Sequence, residues 1–309
     1  MNHEPFVKLS PVFKDYLWGG EKLKALYGAK DAVVAEAWLV SAHPDGPSMV
    51  AEGPHAGMTF ADYLRAEGVR GGFPVLVKFI DSAQKLSVQV HPGDAYAKVH
   101  ENDSGKSEMW LVLEADAGAY LYVGFNRDVT KAEIRRRIED GTIEEILNKT
   151  PTRAGDMVYI PAGTVHAIGE GNLILEVQQS SNATYRLYDY KRRGANGKLR
   201  PLHIDKALDV LDSRKAGADT LTHGRQGMRC PYFSVERHTA DGSLTLPMTD
   251  ERFAAAVCVD GEGALTRQGK QTSLRRGDSV YLPASEHPAE FTGEMQLVVI
   301  RAALYSKQK

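Results

Sequence analysis

The stretch GDMVYIPA at residues 155–162 recurs as GDSVYLPA at residues 277–284, with six of eight positions identical. Each copy has the same local logic. Gly-Asp turns the chain, an alternating apolar segment runs on as a strand, and proline ends it. Two copies of one β unit in a single chain constrain the fold to two related β modules of the jelly-roll or barrel kind. A chain of 309 residues, 42% hydrophobic and 25% charged, is long and apolar enough to give each module a core. The expected fold is therefore mainly β, with a first module over residues 1–222, a second over 223–309, and a linker-like segment over 216–227.

Strands are expected at Ala35–Val40, Phe73–Ile80, Leu86–Pro92, Ser107–Ala115, Asp156–Ile160, Leu173–Gln178 and Thr184–Tyr190. From Tyr232 onward the pattern reads as short strands and turns. Helical spacing appears at Phe60–Glu67 and at His203–Leu211. Between strands, Thr130-x-x-Glu133 and Thr142-x-x-Glu145 each fit a capping box, which predicts two short helices inserted near residues 129–149.

LSVQVHP, residues 86–92, carries the chemistry. Alternation puts Ser87, Gln89 and His91 on one strand face and Val88 and Val90 on the other. In the next strand Glu108 shares a face with Trp110 and Val112. His166 follows a turn built on Pro161 and Gly163. Two imidazoles, a carboxylate and an amide oxygen make a borderline donor set that suits Zn²⁺, with Fe²⁺, Mn²⁺ or Co²⁺ as substitutes. Gln89, His91, Glu108 and His166 are thus expected to hold one metal ion per chain. His43 and His100 are expected outside this set, at the surface, and His287 at the surface or in a structural role.

The spacing Gly155-x5-Pro161-x-Gly163-x2-His166 is similar to the second motif of the cupins. Together with LVKFIDSAQKLSVQVHPGDAY, GKSEMW and NATYRLYDY, it makes the chain resemble the type I mannose-6-phosphate isomerases in their short bacterial form. WGG at residues 18–20 and AEAW with SAHPDG at residues 35–46 fit the same form. The resemblance covers most of residues 10–210 and is looser beyond. It implies two cupin-like modules. The first holds zinc through Gln89, His91, Glu108 and His166; the second holds no metal, in line with the absence of a Gln-x-His pair from the second repeat. It also implies interconversion of mannose 6-phosphate and fructose 6-phosphate through an enediol, with Arg186 in the active site.

That chemistry needs a base, a charge stabiliser and a phosphate anchor. Arg186 is expected to steady the enediolate and Glu176 to shuttle the proton, unless Glu176 merely pairs with Arg186. Ser87, Lys78 and Lys106 are candidates for substrate contact; Lys78, inside an apolar run, needs a carboxylate partner if buried. Lys191, Arg192 and Arg193 read as a solvated turn. Rival readings are an isomerase of another aldose, a metal-holding sugar-binding cupin without turnover, and an Fe²⁺ oxygenase. A net charge of −2 offers no field for nucleic acid or anionic membranes. Two cysteines, no apolar run near membrane length and no apolar stretch in residues 1–13 make a cytoplasmic location the expectation.

Overall fold

The computed structural model describes residues 4–29, 33–69, 73–194, 197–217, 221–248 and 253–302. Residues 218–220 of the expected linker fall outside this set. Among the described residues the chain builds three antiparallel sheets. The central sheet orders its strands Thr222–His223, Asp156–Ile160, Glu108–Ala115, Asn172–Gln179, Val75–Ser82, Glu36–Val40 and Val12–Lys14. A front sheet orders Tyr185–Tyr188, Val88–Val90, His166–Ile168, Tyr120–Phe125 and Leu147–Pro151. The third sheet comes mainly from the C-terminal region, but Val7–Ser10 and Met49–Val50 complete it through the pairing of Val7 with Tyr281. No helix among the described residues is long and apolar enough to cross a membrane.

Period-2 alternation explains how the central sheet serves two cores. Val75, Val77 and Phe79, Met109 and Leu111, and Leu173, Leu175 and Val177 point back onto Val235, Val257 and Ile300 of the third sheet. Ile80, Trp110, Val112 and Ile174 point forward, onto Leu121, Val123 and Ile168 of the front sheet. Full burial of such side chains stabilises by roughly 1.5–3 kcal/mol each. The forward face also carries Lys78, Glu108 and Glu176, which share its parity. The apolar sandwich therefore ends in a buried polar patch.

The inserted segment differs from the capping-box reading at its second half. Thr130 caps the helix Lys131–Asp140, its hydroxyl accepting from the Glu133 amide at 3.1 Å. Thr142 makes no side-chain cap, and Ile143–Ile146 is a 3₁₀ turn that leads into the strand Leu147–Pro151. Gly141 ends the first helix in the left-handed conformation, and Ile143 and Ile146 are buried at once, so no room remains for a second α-helix. These turns pack with the helix Ile204–Val210 on the outer face of the front sheet.

The C-terminal region is not made of short strands alone. Phe233–Leu246, Ala254–Arg267 and Ala289–Ala302 run 14 residues each. Gly242, Gly263 and Gly293 lie within them, where local signals read as turns. Gly242–Gly293 and Gly263–Gly293 are instead cross-strand partners, which lets backbones approach closely where a Cβ at Gly263 would meet the Thr292 carbonyl at 2.1 Å.

Candidate active site

The polar patch lies where the front and central sheets face each other. His166, the first residue of its strand, pairs with Gln89, and Gln89 pairs in turn with Arg186. From the opposite sheet, Glu108 pairs with Gln178 and Ile160, and Glu176 pairs with Lys78 and Trp110. The turn before His166 is locked by Gly163, whose amide donates to the His91 carbonyl at 2.9 Å. Position 163 has φ +90°, and a Cβ there would meet the Val210 carbonyl at 2.9 Å, so it has no space for one. Gly163→Ala is expected to cost about 1–3 kcal/mol in denaturant unfolding.

One ligand atom each from His91, Glu108 and His166 lies within 4.8 Å of the others, and all three residues are buried. His91 Nδ1 contacts the Ala183 carbonyl and His166 Nδ1 the Thr164 carbonyl, each at 2.9 Å. Carbonyls only accept, so both Nδ1 atoms carry the proton and both Nε2 lone pairs turn inward. His166 Nε2 then faces Glu108 Oε1 at 3.3 Å, acceptor to acceptor, and that buried oxygen has no hydrogen-bond partner. The Lys106 ammonium donates to His91 Nε2 at 2.9 Å and to Glu108 Oε2 at 2.5 Å, so the cluster already draws positive charge to itself. Burial, reinforced by Lys106, pushes the His91 imidazolium pKa down to about 3, and burial lowers that of His166. Burial alone would raise Glu108, but the Lys106 ammonium holds it well below the usual carboxylate range. Two neutral imidazoles and an ionised carboxylate are the protonation states that ligate a divalent metal. The Gln89 amide lies 3.3 Å from His166 Nε2, and a half-turn of its planar end presents Oε1 there as a fourth donor. The residues fit a metal ion.

Gln89 lines a cavity of about 280 Å³; the other three donors lie behind it, each no more than 1% exposed. Lys78, Ser87, Lys106, Glu176 and Arg186 also line this cavity. Glu176 does not pair with Arg186. It accepts from the Trp110 indole at 2.8 Å and lies 3.2 Å from the Lys78 ammonium, with Lys106 at 3.7 Å. Burial, and then the charge of Glu108, raise its pKa. Burial would lower Lys78, but Glu176 and Glu36 drive it upward, so it stays an ammonium.

Five positions differ from the reading of the sequence alone. Glu36 was not singled out, yet it lines the cavity, lies 3.4 Å from Lys78 and accepts from the Trp38 indole at 2.7 Å. Its signal was a lone carboxylate in the apolar run AEAWLV, matching the lone lysine in the next apolar strand. Alternation along the expected strand Thr184–Tyr190 would put Tyr188 on one face with Arg186, but a bulge between them sets Tyr188 opposite Val88, packed against the core beneath the helices. His43 is buried against Trp38 rather than at the surface. Arg192 is half-buried and hydrogen-bonded to Asp189 and to the Lys85 carbonyl, not solvated, and Arg200 from the same loop lines the cavity.

Fold and site together define a two-module β protein of cupin type with a buried centre fit for a divalent metal. Residues 6–120 match the phosphomannose isomerase type I catalytic domain, and residues 226–302 match the mannose-6-phosphate isomerase cupin domain. A mannose-6-phosphate isomerase of Streptococcus mutans is 37% identical over 96% of this chain and 97% of its own length. One of Bacillus subtilis is 36% identical over 97% and 99%. The crystal structure of a Bacillus subtilis mannose 6-phosphate isomerase, 34% identical, superposes with a TM-score of 0.87 over 96% of this chain and 99% of that one. The chain belongs to the type I mannose-6-phosphate isomerase family, which makes it an aldose–ketose isomerase.

Proposed function

We propose that the cavity interconverts mannose 6-phosphate and fructose 6-phosphate through an enediol, with zinc as the metal held by Gln89, His91, Glu108 and His166. The observation that carries this reading is the convergence of His91, Glu108 and His166, with lone pairs turned inward, directly behind a cavity lined by charged side chains. Imidazole, carboxylate and amide donors suit zinc, and such an ion supplies Lewis acidity toward sugar oxygens when bound.

The chain's own groups divide the remaining work. Glu176, at the cavity floor with its pKa raised, takes the proton from C2 and returns it to C1. Lys106 and Lys78 lie beside Glu176 and line the same cavity, so negative charge that develops on O1 and O2 is met by ammonium groups. Arg186, held through Nη1 on the Pro201 carbonyl, presents a permanent charge from the opposite sheet. Ser87, whose hydroxyl lies 3.5 Å from Gln89 Oε1, and Arg200 line the part of the cavity assigned to the phosphate. The two unpaired cysteines fit a reducing, cytoplasmic compartment.

Purified protein should turn over mannose 6-phosphate in a coupled assay, strongly preferred over mannose, with about one zinc per chain by elemental analysis; metal-loaded protein that binds the sugar without turnover would make it a sensor. Arg186→Ala is expected to lower kcat about 10²–10³-fold with metal content intact. A rise in KM alone would instead make Arg186 a ground-state anchor.

A further inference from the structure

Asp189 is 4% exposed and sits at the hinge of the loop that carries Arg192 and Arg200. Arg200 engages it through Nε at 2.7 Å and Nη2 at 2.5 Å, and Arg192 through Nη2 at 2.6 Å. The loop is bent to make this possible. Tyr190 and Lys191 both take the left-handed conformation, at φ 56° and 55°, which L residues adopt rarely, and the Arg192 amide closes the turn on the Asp189 carbonyl at 3.0 Å. Arg192 Nη1 then reaches the Lys85 carbonyl at 2.7 Å. The return limb is tied as well, since Arg186 Nη1 donates to the Pro201 carbonyl and the His203 amide to the Arg186 carbonyl. Two guanidinium groups, of Arg192 and Arg200, therefore hold one carboxylate, and Arg200 and Arg186 line the cavity beside it. Burial lowers the Arg186 pKa first, and the nearby Arg200 charge lowers it further.

We propose that Asp189 is a positioning residue for substrate selection: braced by Arg192, it fixes the Arg200 guanidinium group on the cavity that Arg200 lines, so that a sugar carrying a phosphate dianion is held and its unphosphorylated counterpart is not. The inference rests on the reading of this mouth as the phosphate end. A guanidinium is planar, so fixing Nε and Nη2 of Arg200 on Asp189 fixes the direction of Nη1, beside the cavity that Arg200 lines. The group left alone would sample many rotamers, and ordering it would weaken binding. With one negative charge against three positive, the cluster keeps a net charge of +2, complementary to a dianion.

Asp189→Asn keeps the size and one acceptor but loses the charge that holds two forks. In the metal-loaded protein, calorimetric titration with inorganic phosphate should show affinity weakened about ten-fold. KM for mannose 6-phosphate should rise by a similar factor, with kcat within about three-fold and kcat/KM for mannose unchanged. Arg200→Lys, which keeps charge and loses the fork, should weaken phosphate in the same way. Unaltered phosphate affinity in both variants, or a fall in kcat with KM constant, would overturn the inference. A lowered Tm with normal phosphate affinity would do the same, leaving Asp189 as a loop staple. Phosphate binding does not depend on turnover, so the two readings fail separately. A parent protein that binds phosphate but does not isomerise mannose 6-phosphate would sink the functional reading, while an active parent with indifferent variants sinks this one alone.

Discussion

His166→Ala should empty the metal centre and abolish most turnover. The imidazole is fully buried, its Nδ1 proton is fixed on the Thr164 carbonyl, and its Nε2 has no role other than to face Glu108 and Gln89. Altering groups that only orient a metal ligand typically costs about 10–100-fold in affinity, so deleting a donor is expected to cost more. Elemental analysis after dialysis should fall from about one equivalent to a small fraction. Turnover should fall at least about 10³-fold, which corresponds to several kcal/mol of lost Lewis-acid stabilisation. Thermal unfolding checks that the fold survives, since the alanine also removes the imidazole packed edge-on against Trp110. Full metal occupancy in this variant would refute the ligand assignment.

Glu176→Gln tests the proton shuttle with the least structural disturbance. The amide is isosteric and retains an oxygen for the Trp110 indole, and Lys78 keeps Glu36 as a counter-ion at 3.4 Å. The fold and the metal should therefore remain. Loss of a positioned general acid–base typically costs about 10²–10⁴-fold in kcat, and that is the expected result. Glu36→Gln serves as the comparison, because it removes the other carboxylate beside Lys78. If the two variants lose activity equally, the carboxylates act together to hold Lys78, and neither is the shuttle. If Glu176→Gln stays within a few-fold of the parent, Glu176 is only a buried counter-ion.

Much of this site follows from local rules. Strand alternation alone puts Ser87, Gln89 and His91 on one face, and the structure turns Val88 and Val90 into the opposite core. The turn residues Pro161 and Gly163 announce the delivery of His166, because only glycine tolerates the backbone at position 163. The lone charge at Lys78 demands a partner, since an unpaired buried ammonium is too costly. The repeat at residues 155–162 and 277–284 announces two β modules, and both copies become strands. These inferences succeed because they depend on neighbours in sequence, on the period of a strand and on the conformations of glycine and proline.

What the sequence determined, then, is the β architecture, the strand phases and the polar residues that those phases turn inward. Only the tertiary structure decided which partners meet. Glu36 joins Lys78 because the strand Glu36–Val40 lies beside Val75–Ser82, and nothing local encodes that adjacency. Arg186 parts from Tyr188 because a bulge falls between them. Val7–Ser10 joins a sheet built far along the chain, through the pairing of Val7 with Tyr281. Arg192 and Arg200 converge on Asp189 because a left-handed turn folds a basic loop back on itself. In each case the determinant is non-local pairing, or the reach of a long flexible side chain, and both are fixed only when the sheets pack against one another.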